Sequence, residues 1–378
     1  MSAPAPLRPL PPRSLPSRST RRLFTAVALS LTAALALSAC GGGTESTTSA
    51  PSGTAAPSGG QKLSGRIVWA DFGGPTNKAR QTTYFDGFTG DTGVEVVSTV
   101  EEDALADTML NGGAGDYDAM HVGLDFAYHY KDNILSRPAG ATLDQQLPED
   151  IRDKAWGTFL VGHAQGYLTS TFPNGGPQTW ADFWDVKKFP GKRAWPGTPG
   201  SYDSTCEVAL LADGVAPDQL YPLDLDRCTK KLNELRPNMV FYNAYPEIQQ
   251  LIASGTAAVA LGPSGQYAAL RNGGQDITVS WNQAVVAPNV MVTPAKAPNA
   301  DNIFALAEWM SDPKRQAEFA KLTGYGPGNP DAFQHMTEET LATIVSSPSH
   351  DKIVWQNSRA RAEQRDALLA WYTGWLAQ

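Results

Sequence analysis

Histidine, cysteine and positive charge are all scarce in this 378-residue chain. Five histidines and three cysteines are present, and no H-E-x-x-H occurs. Two isolated cysteines, Cys206 and Cys228, with no paired histidines do not make a zinc ligand set, so neither metal nor cofactor is expected. G-x-S-x-G is also missing; Gly262-Pro263-Ser264-Gly265-Gln266 fails it by one place. Two S-x-x-K matches, Ser311 to Lys314 and Ser349 to Lys352, lack the S-D-N and K-T-G that would accompany them. Residues 324–328 lack the third glycine of a dinucleotide fingerprint. An enzyme is therefore not expected; a secreted hydrolase is the main rival class, and a surface adhesion or partner-binding lipoprotein is the third. Lysine and arginine number 30 against 38 acids, a net charge of −8. The first 39 residues hold five arginines and no acid, so without them the balance falls to −13. That excludes a basic nucleic-acid face. It fits a solvated acidic surface and, weakly, cationic ligands.

What is present begins at the front end. Arg8, Arg13, Arg18, Arg21 and Arg22 precede an apolar run over 23–37. About fifteen apolar residues are too few to span a bilayer, which takes about 20, and suit the core of an export signal. Leu37-Ser38-Ala39-Cys40 resembles the lipobox of bacterial lipoproteins. The resemblance implies cleavage before Cys40 and a lipid on its thiol. Thr20-Arg21-Arg22-Leu23-Phe24 also resembles a twin-arginine motif, leaving Sec and Tat export both open. Residues 40–62 follow, rich in Gly, Ser, Thr, Ala and Pro. Such a stretch cannot bury enough apolar surface to order itself, so it reads as a tether. After residue 40 no second long apolar run occurs.

The body, roughly 316 residues from 63 to 378, exceeds what one core usually serves, so two lobes are expected. Residues 65–74, 94–100 and 117–123 read as short strands, with helical spacing between them. From 177 the alternation resumes: strand at 192–198, helices at 204–214 and 225–235, strand at 238–243, helix at 246–255, strand at 256–262, helix at 264–274. An apolar strand follows at 283–294, then two helices broken at Asp312-Pro313. This is the rhythm of α/β domains with largely parallel sheets. The last forty residues read as mostly helical, with Trp355, Trp371 and Trp375 on core-facing sides.

Four phrases in order resemble extracellular solute-binding proteins of ABC importers, in the spermidine/putrescine-like group. They are residues 179–194, 207–227, 251–261 and 297–333. The resemblance implies a type II, two-lobed periplasmic-binding-protein fold with a hinge and a ligand cleft. Lobe 1 would comprise residues 63–170 and 287–378, and lobe 2 residues 171–286, with crossovers near 162–170 and 282–290. It also implies a monomeric receptor, tied to the outer face of the cell membrane through Cys40. That receptor would serve a permease and an ATPase, with no nucleic-acid partner.

In open α/β sheets ligands bind outside the carboxyl ends of strands. That rule selects the loops at 69–74, 123–126, 198–204, 242–245 and 262–266. Asp71 with Trp69, Phe72 and Gly73, and Asp125 with Phe126, offer an ammonium a carboxylate beside an aromatic face. Asp203 and Glu207 are four apart at a helix start, with Ser204 between them, and would share one face. Asp203 reads equally as a helix N-cap. Glu207 resembles an acidic position of polyamine binders. Tyr242 and Tyr245 suit either stacking on an aliphatic chain or the core. A polyamine is thus the first ligand expected. One departure stands against it: where polyamine binders carry a tryptophan-containing loop, this chain has Gly262-Pro263-Ser264-Gly265. With Gln266, that loop could instead offer backbone N–H groups to an anion, suiting an amino-acid derivative. The adjacent tyrosine pair of ferric-binding relatives is absent. Cys206 and Cys228 can form a disulfide outside the cytoplasm or stay as buried thiols.

Overall fold

The computed structural model describes residues 63–71, 73–141, 144, 146–199 and 204–378. Strand β1 (Arg66–Asp71) leads into helix α1 (Gly74–Arg80), which continues through a π-helical stretch, Gln81–Phe85, into α2 (Asp86–Thr92). Gly93 closes α2 at φ 77°, the left-handed cap that glycine supplies without strain. Then come β2 (Glu95–Val100), α3 (Asp103–Leu110), β3 (Ala119–Gly123) and α4 (Leu124–His129). A long strand, β4 (Ala155–Leu168), carries the chain onward.

The βα alternation then repeats. Helix α5 (Trp180–Trp184) opens on a capping box between Thr179 and Asp182. It is followed by β5 (Arg193–Pro196), α6 (Thr205–Ala212), α7 (Leu225–Leu235), β6 (Met239–Tyr242), α8 (Tyr245–Ala253), β7 (Val259–Pro263) and α9 (Ser264–Asn272). A second long strand, β8 (Ile277–Val292), returns. Helices α10 (Ala300–Met310) and α11 (Pro313–Thr323) are separated by Asp312, whose side chain caps α11 through Arg315 N while Pro313 takes the first turn. Short pieces β9 (Gly326–Pro327), α12 (Glu338–Leu341) and β10 (Val354–Trp355) precede α13 (Ser358–Leu376).

Among the described residues the strands join in the order β2-β1-β3-β8-β4-β7-β5-β6. β1 is parallel to β2 and β3, and β5 is parallel to β6 and β7. The two flanks therefore have the same winding: the first strand central, the second outside it, the third inside. Between them, β4 and β8 pair antiparallel along most of their length. β8 pairs β3 at Asn289 to Val292, and β4 pairs β7 at His163 to Gly166. Each long strand thus serves both halves; β4 holds 162–168 of the first expected crossover and β8 holds 282–290 of the second.

Apolar clusters sit on each flank. One gathers Trp69, Phe85, Phe88, Met291 and Phe319; another gathers Trp180, Trp195, Leu210, Leu232 and Trp375. A disulfide between Cys206 and Cys228 joins α6 to α7. The C-terminal helix departs from the lobe drawn for it. Its start touches α4, whereas Leu368, Tyr372 and Trp375 pack with Trp195 and Leu232 of the second flank. Trp375 is buried and Trp371 partly so. Trp355 departs from its expected core role and is 54% exposed. In a strand neighbours face opposite ways, and Val354 takes the inward place. No described helix is long and apolar enough to cross a membrane.

Candidate functional site

The third strand of each flank ends at the middle of the sheet, beside the long strands. Gly123 closes β3 and Pro263 closes β7, while the β6–α8 turn brings Ala244, Tyr245 and Pro246 alongside. These residues line a cavity of about 340 Å³. Its floor is the β4/β8 pair: Phe159, Val161 and His163 alternate along β4 on one face, and Ala287 and Asn289 along β8. His121, Asp125, Tyr325 and Gln356 complete it. A larger hollow, about 730 Å³, is lined by Tyr128, Phe333 and Trp355 among others. None of its lining comes from 171–286, so it does not lie between the repeated flanks. The smaller cavity is the one the strand ends define.

Aromatic rings build one wall. His121 stacks on Phe159 with ring centroids 4.7 Å apart, and Phe159 on Tyr325 at 4.5 Å. Burial pushes the His121 imidazole well below its ordinary pKa, and nearby Arg80 adds to this. His163 is driven down to about 3, by burial first and by Arg361 second. Its Nδ1 lies 2.8 Å from Ser204 Oγ. Both rings are neutral at pH 7. They present hydrogen-bonding nitrogens, not charge.

The carboxylates are matched from within. Asp71 is buried and ion-paired to Arg80, and accepts a further hydrogen bond from Asn77 Nδ2. The Arg80 guanidinium also faces the Trp69, Phe159 and Phe319 rings at 5.4–5.7 Å. Glu207, fully buried on α6, receives Arg361 Nη1 at 2.6 Å and the Tyr221 hydroxyl at 2.9 Å, both on Oε1. Asp125 Oδ2 lies 3.5 Å from Arg361 Nε. Burial raises the Asp125 pKa, and Arg361 opposes that rise.

The expected site residues therefore divide. Asp125 and Tyr245 line the cavity. Ser204 reaches it through His163, and Glu207 approaches it through Arg361. Ser264 is buried at the start of α9 beside the lining Pro263. Trp69 does not line it; packing against Phe85 at 5.3 Å holds it in the core. Tyr242 is likewise core, its hydroxyl donating to Leu261 O. Phe126 lies under the Arg365 guanidinium at 4.3 Å, and Gln266 accepts a hydrogen bond from Gln249. Gly73 precedes α1 at φ 73° and does not line the cavity. Phe72, Asp203 and Cys40 lie outside the described residues.

Sequence reasoning missed Phe159, His121, His163, Asn289, Tyr325, Gln356 and both arginines. For Arg361 a signal existed. Ser358, Arg361, Leu368, Tyr372 and Trp375 recur at helical spacing, placing an arginine on an apolar stripe. Among the described residues no cluster of three or more acidic, histidine or cysteine side chains could hold a metal.

Two like-wound α/β flanks around a cavity at their strand ends define a two-lobed periplasmic-binding-protein fold, a receptor for a small solute. Comparison with known proteins makes this specific. The profile of the family described as bacterial extracellular solute-binding protein matches residues 83–344. The gamma-aminobutyric acid-binding protein of Pseudomonas aeruginosa is 26% identical over 331 residues, covering 83% of this chain and 93% of that protein. A solved GABA receptor is similar at 28% identity and a TM-score of 0.75, over 83% of this chain and 98% of that one. The agropinic-acid complex of the binding protein AgtB from A. tumefaciens R10 is similar at 25% identity and a TM-score of 0.72, over 83% and 99%. The chain belongs to the bacterial extracellular solute-binding protein family. It is a substrate-binding protein of an ABC transporter, with an extracytoplasmic place of work and a transport role, not an enzymatic one.

Proposed function

We propose that this receptor captures a small zwitterion of the amino-acid-derivative class, in preference to a polyamine. The observation that carries the reading is the internal matching of the acids. Asp71 is engaged by Arg80, and Asp125 and Glu207 share Arg361. Among the described residues, one guanidinium between two carboxylates leaves a charge of −1 at that end, which suits one ammonium. At the other end lie the starts of α8 and α9, where Ala244, Pro246 and Pro263 line the cavity. Helix N-termini carry positive partial charge, which suits a carboxylate; the N–H donors would come from α9, because Pro246 has none and Glu247 N already donates to Ala244 O. Tyr245 and Tyr325 supply rings for the carbon chain between. The relatives named for gamma-aminobutyric acid and the agropinic-acid complex support the same class.

Cys40 carries the lipid, residues 41–62 form the tether, and residues 1–39 are removed on export. The permease and ATPase of the importer are the working partners. The 63–170 and 171–286 segments supply the two lobes, with α13 reaching across both.

Thermal-shift and calorimetric titration of the full-length protein test the ligand. Gamma-aminobutyrate, other ω-amino acids, opine-type conjugates, putrescine and spermidine would be compared. Ligand at about 100 times its Kd adds about 2.7 kcal/mol, a rise of several degrees. A response to amino-acid derivatives and none to polyamines is expected. A response to polyamines alone would overturn the reading.

A further inference from the structure

We propose that Arg361 is the specificity-setting residue of this receptor: a guanidinium delivered by α13 that occupies a cation place between Asp125 and Glu207 and thereby keeps dications out. This rests on the reading that the solute enters the cavity bordered by Asp125.

The three residues come from distant parts of the chain. Asp125 stands in the first turn of α4, Glu207 in the first turn of α6, and Arg361 near the start of α13. All three are at least nine-tenths buried. The Asp125 carboxylate borders the cavity, and the guanidinium lies behind it, between the flanks. Glu207 uses Oε1 for both Arg361 and Tyr221, while Oε2 is buried and makes no hydrogen bond within the described residues. Two buried carboxylates around one cation, with an acceptor oxygen in reserve, are what a diamine would need to find. Here the chain itself fills that place.

A simple fold-holding ion pair would need no carboxylate facing a cavity. A buried pair is also a poor source of net stability, because apolar replacements of similar volume are often as stable. The arrangement is therefore better explained by what it repels. A zwitterion brings one ammonium to a cluster of charge −1. A diamine brings two, and meets a guanidinium where its second charge would go.

The test is gain of binding. Arg361→Ala in the full-length protein leaves Asp125 and Glu207 unpaired next to a space the size of a guanidinium. It is expected to acquire a dose-dependent rise in Tm with putrescine, spermidine or methylguanidine at about 10 mM, by about 3 °C or more. The wild type and Arg361→Lys, which retains the charge, should show none. The triple variant R361A/D125N/E207Q should fold and also show none. If Arg361→Ala does not fold alone, refolding with 10 mM methylguanidine or putrescine takes the place of the shift. Recovery supports the proposal, and failure to recover overturns it. A folded Arg361→Ala indifferent to all three cations overturns it too, as does a wild type that responds to diamines as strongly as the variant. Wild-type binding of amino-acid derivatives is scored separately. Its absence removes the proposed ligand class without touching the cation readout of the variant.

Discussion

Arg361 Nη1 meets Glu207 Oε1 at 2.6 Å across 154 positions of sequence, with neither side chain exposed to solvent. The contact joins the last helix, α13, to α6 of the second flank. It leaves the acid that most resembled a polyamine ligand already neutralised.

Glu207→Gln removes one charge from that contact and leaves Asp125 in place beside the guanidinium. Breaking one side of a buried pair costs about 3–5 kcal/mol. Because Asp125 remains, the low end of that range is expected. Urea unfolding, read as a lower midpoint at unchanged slope, measures it. A midpoint within error of wild type would mean that the pair does not hold the flanks together.

Tyr245 and Asn289 line the cavity: Tyr245 is half-buried at the edge of the core, and Asn289 sits on the strand floor. Tyr245→Ala should weaken solute binding about tenfold, which is about 1.4 kcal/mol, while the ligand-free Tm changes little. Titration calorimetry separates the two. Loss of Tm with unaltered affinity would place Tyr245 in the fold, not the site.

Acid should destabilise the receptor through its buried imidazoles. The folded pKa of His163, about 3, lies below the unfolded value of about 6.5. Below pH 6.5 the unfolded chain therefore binds a proton that the folded one does not. Stability is fully present above pH 6.5 and falls as pH drops towards 3, by about 2 kcal/mol at pH 5 for this one residue. Ser204 Oγ at 2.8 Å and the Arg361 charge are among the groups that face it. His121 acts in the same direction, and Asp125, with its raised pKa, in the opposite one. Chemical denaturation at pH 7 and pH 5 should show a smaller loss in His163→Asn than in wild type. Equal losses in the two proteins would remove His163 from the account.

The Cys206–Cys228 bond closes a loop of 22 residues between α6 and α7. A loop of that size restricts the unfolded chain by about 3 kcal/mol. The double serine variant, or wild type in reductant, should melt several degrees lower. An identical Tm with and without reductant would count against a contribution from the bond.

Local signals carried much of the fold. Asp312-Pro313 read as a helix break because an N-cap followed by proline is a chemical statement made by two adjacent residues, and α11 begins there. The βα alternation was legible for the same reason. What escaped was long-range. β4 and β8 find each other across more than a hundred positions, and nothing within either strand says so. The site suffered most from this. Asp71 and Trp69 stand at a strand end, where the topological rule points, but Arg80, nine residues after Asp71, turns both inward by charge and packing. Trp355 shows the converse: one residue out of phase in a two-residue strand sets a large aromatic ring in water.

The register of β4 breaks twice, between Gly157 and Phe159 and between His163 and Gln165. Bulges are where strands bend. Phe159, Val161 and His163 lie between the two breaks, on a short span of the floor bent away from the strand at either end. Were the flanks to swing about those bends, the floor under the solute would move least and the outer ends of β2 and β6 most. A binding event a few ångströms across would then be read out as a change of outline at the rim, where a partner outside the cleft could sense it without touching the solute.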